Sequence, residues 1–185
     1  MLQNNNNCYN AVKKCIFNEP HKMFYLRELS RITGFSTTAI TTTLDILEKE
    51  KIITITEDNI SKKIKANINA EEYRYNKMSY NLQRLIELNS IQEIKEKFSN
   101  PECIVLFGSF AKGEDIEQSD IDFFILSSLK KEIYWKKLLK IKEKIEKELF
   151  RKISFYVLPS LEKSEKEFKN ALANGIVLHG YLKVV

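Results

Sequence analysis

The chain is short of cysteine, and the three it has exclude what cysteine usually builds. Their number is odd and no CxxC occurs in the 185 residues, so a disulfide framework or a zinc cluster has no support. Cys8, Cys15 and Cys103 are expected as free thiols, with Cys8 and Cys15 on one helix face. Long hydrophobic runs are also missing. Nothing approaches the ~20 apolar residues of a membrane span. No apolar segment follows the Met-Leu start, so no secretory signal is expected, and the reading is of a soluble, cytoplasmic protein. Asn4 to Asn7 read as a frayed end. There is no internal repeat of solenoid period and no strong charge of one sign. The net charge is +5, and residues 1–100 carry 15 Lys/Arg against 12 Asp/Glu while 101–185 carry 15 against 13. That is a mild bias toward anionic partners with no basic tail. His21 and His179 are too isolated to be ligands.

What is present is ordinary folded material. A hydrophobic share of 43% excludes global disorder, and 185 residues make one ordinary domain or two small ones. Residues 8–18 predict a helix ended by Pro20, and 25–33 a second with Leu26, Leu29 and Ile32 on one face. Gly34 suits the stop. Ser36 caps a third helix to about residue 50, with Ile40, Leu44 and Leu47 at helical spacing. Period two then takes over. Ile53 and Ile55 alternate with Thr54 and Thr56, and Ile64, Ala66 and Ile68 alternate with polar residues. With Asp58-Asn59 as the turn, this predicts a β-hairpin. Residues 71–97 are helical, broken near Asn89-Ser90 and stopped by Ser99-Asn100-Pro101. Tyr73, Tyr75 and Tyr80 read as packing of this linking helix.

The remainder alternates strands and helices: strands over 102–108, 119–126, 152–158 and 176–180, helices over 131–150 and 161–174. The expected fold class is α/β (α+β), a small mixed sheet with flanking helices. The expected domains are residues 1–75, a linking helix 76–99, and residues 100–185.

The chemistry concentrates in LFGSFAKGEDIEQSDIDFFIL, residues 106–126. A buried strand ends at Phe107. Gly108 lets the backbone turn sharply and approach a ligand, and Ser109 opens a short helical segment whose free N–H groups suit phosphate. Asp120 and Asp122 are two apart, so on a strand both face one side while Ile121, Phe123 and Ile125 face the other. Two adjacent carboxylates repel unless a cation joins them. Magnesium favours one or two carboxylates plus substrate phosphates.

Gly-Ser followed after ten residues by Asp-x-Asp on a hydrophobic strand resembles the minimal nucleotidyltransferases of the DNA polymerase beta superfamily. The resemblance takes in Gly113, Ser119 and the closing NGIVLHG at 174–180, and covers roughly residues 100–180. It implies that Gly108 and Ser109 hold the triphosphate of a nucleoside triphosphate, helped by Lys112. It implies that Asp120 and Asp122 bind Mg2+, and that a nucleoside monophosphate passes to an acceptor with release of pyrophosphate. One departure stands out. The family usually carries a third carboxylate on the next strand, and Ser154 stands in its place here. Glu114, Asp115 and Glu117 are either stand-ins or solvated loop charges.

The order helix, helix, Gly34-Phe35 turn, helix, hairpin in residues 8–68 resembles a winged helix-turn-helix. The resemblance implies a recognition helix over 36–50 with Thr37, Thr38, Thr41 and Thr42 toward double-stranded DNA, supported by Arg27 and Arg31. Lys62, Lys63 and Lys65 would sit on the wing against the phosphate backbone. Winged-helix proteins commonly dimerise, so a homodimer is one assembly the resemblance allows, with the oligomeric state left open. Two function classes follow: a DNA-targeted enzyme, or a DNA-binding regulator with a degenerate transferase domain.

Overall fold

The computed structural model describes residues 2–57, 61–98 and 100–183. The chain divides into two units, the first ending at Lys77 and the second beginning at Met78.

The first unit holds helices α1 (Leu2–Asn18), α2 (Leu26–Thr33) and α3 (Thr37–Lys49), with strands β1 (Phe24–Tyr25), β2 (Ile53–Glu57) and β3 (Lys62–Ala66). The strands form one antiparallel sheet in the order β1-β3-β2. Ser36 caps α3 as its sequence position predicts, its hydroxyl oxygen accepting from the Ala39 N–H at 3.3 Å. Gly34 ends α2 in the left-handed region at φ 76°. Ile40, Leu44 and Leu47 are buried as their spacing requires. Three expectations change. The first helix begins at Leu2, so Asn4–Asn7 lie within it. Leu29 is buried but Ile32 is exposed, because a strict spacing of three drifts around a helix of ~3.6 residues per turn. Ile68 lies beyond β3 and is exposed. The Asp58-Asn59 turn lies outside the described residues.

Helix α4 (Glu71–Glu87) contains the boundary between the units. Tyr73 is buried edge-on against Phe17, whereas Tyr75 is exposed rather than packed. Helix α5 (Ser90–Lys97) follows a break at Asn89, which adopts φ 55°. Its stop falls at Phe98, and Ser99 lies outside the described residues.

The second unit continues with β4 (Cys103–Phe107), α6 (Gly108–Lys112), β5 (Ile121–Leu126), α7 (Lys131–Leu149), β6 (Ile153–Leu158), α8 (Lys166–Ala173) and β7 (Ile176–Gly180). Its four-stranded sheet runs β6-β5-β4-β7, with β5 and β6 parallel and the other pairs antiparallel. It is the small mixed sheet with flanking helices that the pattern predicts. Alternation splits the side chains between two cores. Leu106, Ile121, Phe123 and Ile125 pack toward Leu138, Ile141 and Ile145 of α7. Val105, Phe107 and Phe124 pack on the opposite face with Leu161 and Leu172. The helix expected over 161–174 is shorter, because Ser160 accepts from the Glu162 N–H and Leu161 accepts from the Ser164 N–H, forming a turn.

Candidate active site

Phe107 ends β4 directly opposite Asp122 of β5. The next residue, Gly108, takes φ 76°, and a Cβ added there would lie 2.5 Å from the Asp122 carboxylate oxygen Oδ2. The glycine therefore serves two needs at once, a left-handed backbone and room for a carboxylate. Ser109 follows in the first turn of α6, partly exposed. Lys112 lies in the last turn of that helix, exposed, before Gly113 ends it at φ 69°.

Asp120 lies one residue before β5 rather than within the strand, where the sequence pattern had put it. The two carboxylates nevertheless feel each other. The Asp122 carboxyl is held above its usual range, first by burial and then by the charge of Asp120. Burial comes from the face it shares with an aromatic cluster. Phe107, Tyr156 and Phe168 meet one another with ring centres 5.4 to 5.7 Å apart, and Phe124 joins at 5.9 Å from Phe168. A pair of partly buried, mutually repelling acids is a donor set that a divalent cation stabilises. Among the described residues, no group of three or more His, Cys, Asp and Glu side chains is arranged to hold a metal.

Ser154 of β6 is the register partner of Asp122, and its hydroxyl donates to Asp120 Oδ2 at 3.3 Å. A neutral hydroxyl thus borders both acids on the neighbouring strand.

The loop 113–120 is fixed by residues that the sequence reading passed over. Asn81 of α4 is buried, and its amide donates to the Phe110 carbonyl of α6 at 2.9 Å and to Asp115 Oδ1 at 2.7 Å. Arg151, just before β6, donates to the Glu117 carbonyl at 2.6 Å and stands 4.0 Å from Asp115 Oδ2. Asp115 is 2% exposed. It is a structural anchor, neither a solvated loop charge nor a substitute third acid. This network joins the end of the glycine turn's helix, the approach to Asp120 and the start of the Ser154 strand. One signal was available in sequence: Asn81 sits four residues before buried Leu85 on the same helical stripe, where a polar side chain needs a partner.

In the first unit, Thr37, Thr38 and Thr42 of α3 are exposed and Thr41 is half-buried. The Thr41 and Thr42 hydroxyls donate back to the carbonyls of Thr37 and Thr38, at 2.9 and 3.2 Å. Lys62 is exposed and lies 3.8 Å from Glu57, while Lys63 is half-buried.

The family model described as polymerase beta, nucleotidyltransferase matches residues 89–181 and so takes in every element from α5 to β7. No curated protein matches the chain. Among the described residues, no helix is long and apolar enough to cross a membrane. With the match spanning half of the chain and enclosing the glycine turn and the paired acids, the protein belongs to the polymerase beta nucleotidyltransferase family.

Proposed function

We propose that the second unit transfers a nucleoside monophosphate from a nucleoside triphosphate to an acceptor hydroxyl, releasing pyrophosphate. The observation that carries this reading is the close approach of Gly108 to the Asp122 carboxylate, with Asp120 close enough to raise the Asp122 carboxyl. A backbone turn suited to phosphate and a carboxylate pair suited to a cation then share one end of one sheet. Asp120 and Asp122 would hold Mg2+, and Gly108 and Ser109 would hold the triphosphate, with Lys112 assisting from the exposed end of α6. The metal would supply charge neutralisation on the phosphates. The chain's own part is orientation. Gly108 leaves room for the Asp122 carboxylate, and the network of Asn81, Asp115 and Arg151 fixes the loop that delivers Asp120.

Incubation with each α-labelled nucleoside triphosphate, Mg2+ and candidate acceptors tests the reading. Label should pass to an acceptor in the wild type and not in Asp120→Asn or Asp122→Asn. Absence of both transfer and nucleotide binding in the wild type overturns it.

A second reading is favoured by Ser154, which borders both acids without being one. A serine hydroxyl is a poor general base and a poor ligand for a second metal. On this reading the chain is a DNA-binding regulator whose transferase domain is degenerate and keeps at most a nucleotide site. Support for DNA binding is the order of three helices and a three-stranded sheet in the first unit, with Thr37, Thr38 and Thr42 exposed on α3 and Lys62 exposed on β3. That order is the one a winged helix uses. Ser154→Asp separates the readings: transfer gained in an inactive wild type marks a decayed enzyme.

A further inference from the structure

Strand β6 is one edge of its sheet and β7 is the other. The two edges are finished differently. The register of β7 against β4 skips Leu178, a bulge of the kind that turns an edge away from further pairing. Strand β6 has no such device. Its six residues, Ile153 to Leu158, include no charge, proline or glycine, and its register against β5 is regular throughout. An edge of that kind is a template for another strand.

The backbone fixes which groups that edge presents. The Ile121 N–H donates to the Lys152 carbonyl at 2.8 Å and the Ser127 N–H to the Leu158 carbonyl at 3.0 Å, so the even-numbered residues of β6 turn their backbone groups to β5. The odd-numbered residues turn theirs outward. Of these, the Ile153 N–H is already met by Glu146 Oε1 at 2.8 Å. Phe155 and Val157 remain, each with an N–H and a carbonyl on the open edge. Cavities of about 320 and 520 Å3 flank the edge, the first toward α7 and the second toward Phe168 of α8 on the opposite face. An added strand sends alternate side chains to opposite faces, and so would use both.

Charge and sequence select the occupant. Lys142 beside the edge lies 3.6 Å from Glu146 Oε1, and Lys163 and Glu165 line the second cavity together. A charged segment gains nothing from surroundings so balanced, and β6 itself carries no charge. Strand β6 is also complementary to itself. An antiparallel pair with its two-fold axis at Tyr156 sets Phe155 of each copy against Val157 of the other, using only the free groups. An axis at Phe155 would need the Ile153 N–H that Glu146 holds. An axis at Val157 would set Phe155 against Pro159, which has no N–H to give. The allowed register faces Tyr156 with Tyr156 and Phe155 with Val157. Aromatic–aromatic and aromatic–β-branched pairs are the stabilising ones across strands. Tyr156, 43% exposed in the single chain, becomes covered.

We propose that two copies of this chain pair antiparallel through β6, with Tyr156 on the two-fold axis, into one continuous sheet. Sedimentation velocity of the full chain tests this. A contact centred on one short strand is small, so monomer should pass to dimer with a dissociation constant on the order of 10 µM. Nothing larger should form, because two-fold pairing consumes both β6 edges. Tyr156→Lys sets like charges opposite each other and should raise the constant at least tenfold. Ile86→Lys, at an exposed apolar position on α4, should leave it unchanged. Tyr156→Cys should cross-link two copies on mild oxidation, because facing residues of a non-hydrogen-bonded pair have Cα atoms ~4.5 Å apart, within disulfide reach. The wild type oxidised in parallel gives the background from Cys8, Cys15 and Cys103. The cross-link decides the matter even if Tyr156→Lys fails to fold. A wild type that stays monomeric at about 200 µM, twentyfold above that constant, overturns the proposal. So does a Tyr156→Cys variant that cross-links no more than the background. A dimer that folded Tyr156→Lys leaves intact, or that Ile86→Lys abolishes, places the interface elsewhere and also overturns it. A monomeric wild type whose melting temperature rises with a neutral, apolar six-residue peptide overturns the second copy in favour of a foreign strand.

Discussion

Gly108 and Asp122 touch, and substitution of either tests a different part of the site. Gly108→Ala must hold a side chain at φ 76° and also displace the Asp122 carboxylate. The backbone strain alone costs about 1–2 kcal/mol, so a lower urea midpoint and lost nucleotide binding are expected together. Asp122→Asn removes a partly buried charge that Asp120 repels. A carboxyl held above its unfolded value contributes stability that is fully present below that value, 3.8, and lost as pH rises through the folded one. At neutral pH and without divalent cations, Asp122→Asn should therefore melt at or above the wild-type temperature. That advantage should shrink as pH falls toward the unfolded value, as calorimetric melting at several pH values would show. Added Mg2+ should stabilise the wild type and not the variant. These residues were legible in sequence because the motif fixes their spacing and the strand fixes their face. Asn81 and Arg151 were not, because each meets the loop across 34 residues of chain, and contacts of that separation leave no periodicity.

At the scale of elements, strong periods were read correctly and short or weak ones were not. The edge strand β6 and the long helix α7 came from unbroken patterns of six and nineteen residues. Strand β1 has two residues, Phe24 and Tyr25, too few for an alternation to register, yet it pairs with β3 and buries Phe24 completely. The segment before α8 reads as helix by composition, but burial of Leu161 beneath the sheet and the Ser160 hydroxyl hold it as a turn. Apolar periodicity also overstates burial: Ile86 on α4 is exposed although its neighbour Leu85 is fully buried. The loop between α6 and β5 depends on a buried acid, and Asp115→Ala should leave the Arg151 guanidinium and the Asn81 amide each short of a partner. Breaking a buried charged contact of this kind costs about 3–5 kcal/mol. Equilibrium unfolding in urea should show that loss. Asn170→Ala, on the exposed side of α8, should stay within about 0.5 kcal/mol of the wild type.

For the whole molecule, the two units would carry two separable activities. If the first unit binds duplex DNA through its exposed α3 face and β3, Lys62→Ala should weaken binding evenly across sequences and reduce the salt slope by about 1. Part of the Lys62 charge is already met by Glu57, so the loss should be smaller than for an unpaired lysine. Fluorescence anisotropy at several salt concentrations measures both quantities, and a flat salt response removes DNA from the account. The nucleotide site is read by calorimetric titration of the full chain with a non-hydrolysable nucleoside triphosphate and Mg2+. One nucleotide should bind per chain in the wild type, and none in Asp120→Asn or Asp122→Asn while melting shows those variants folded. No heat of binding in the wild type, or binding undiminished in both variants, would contradict it.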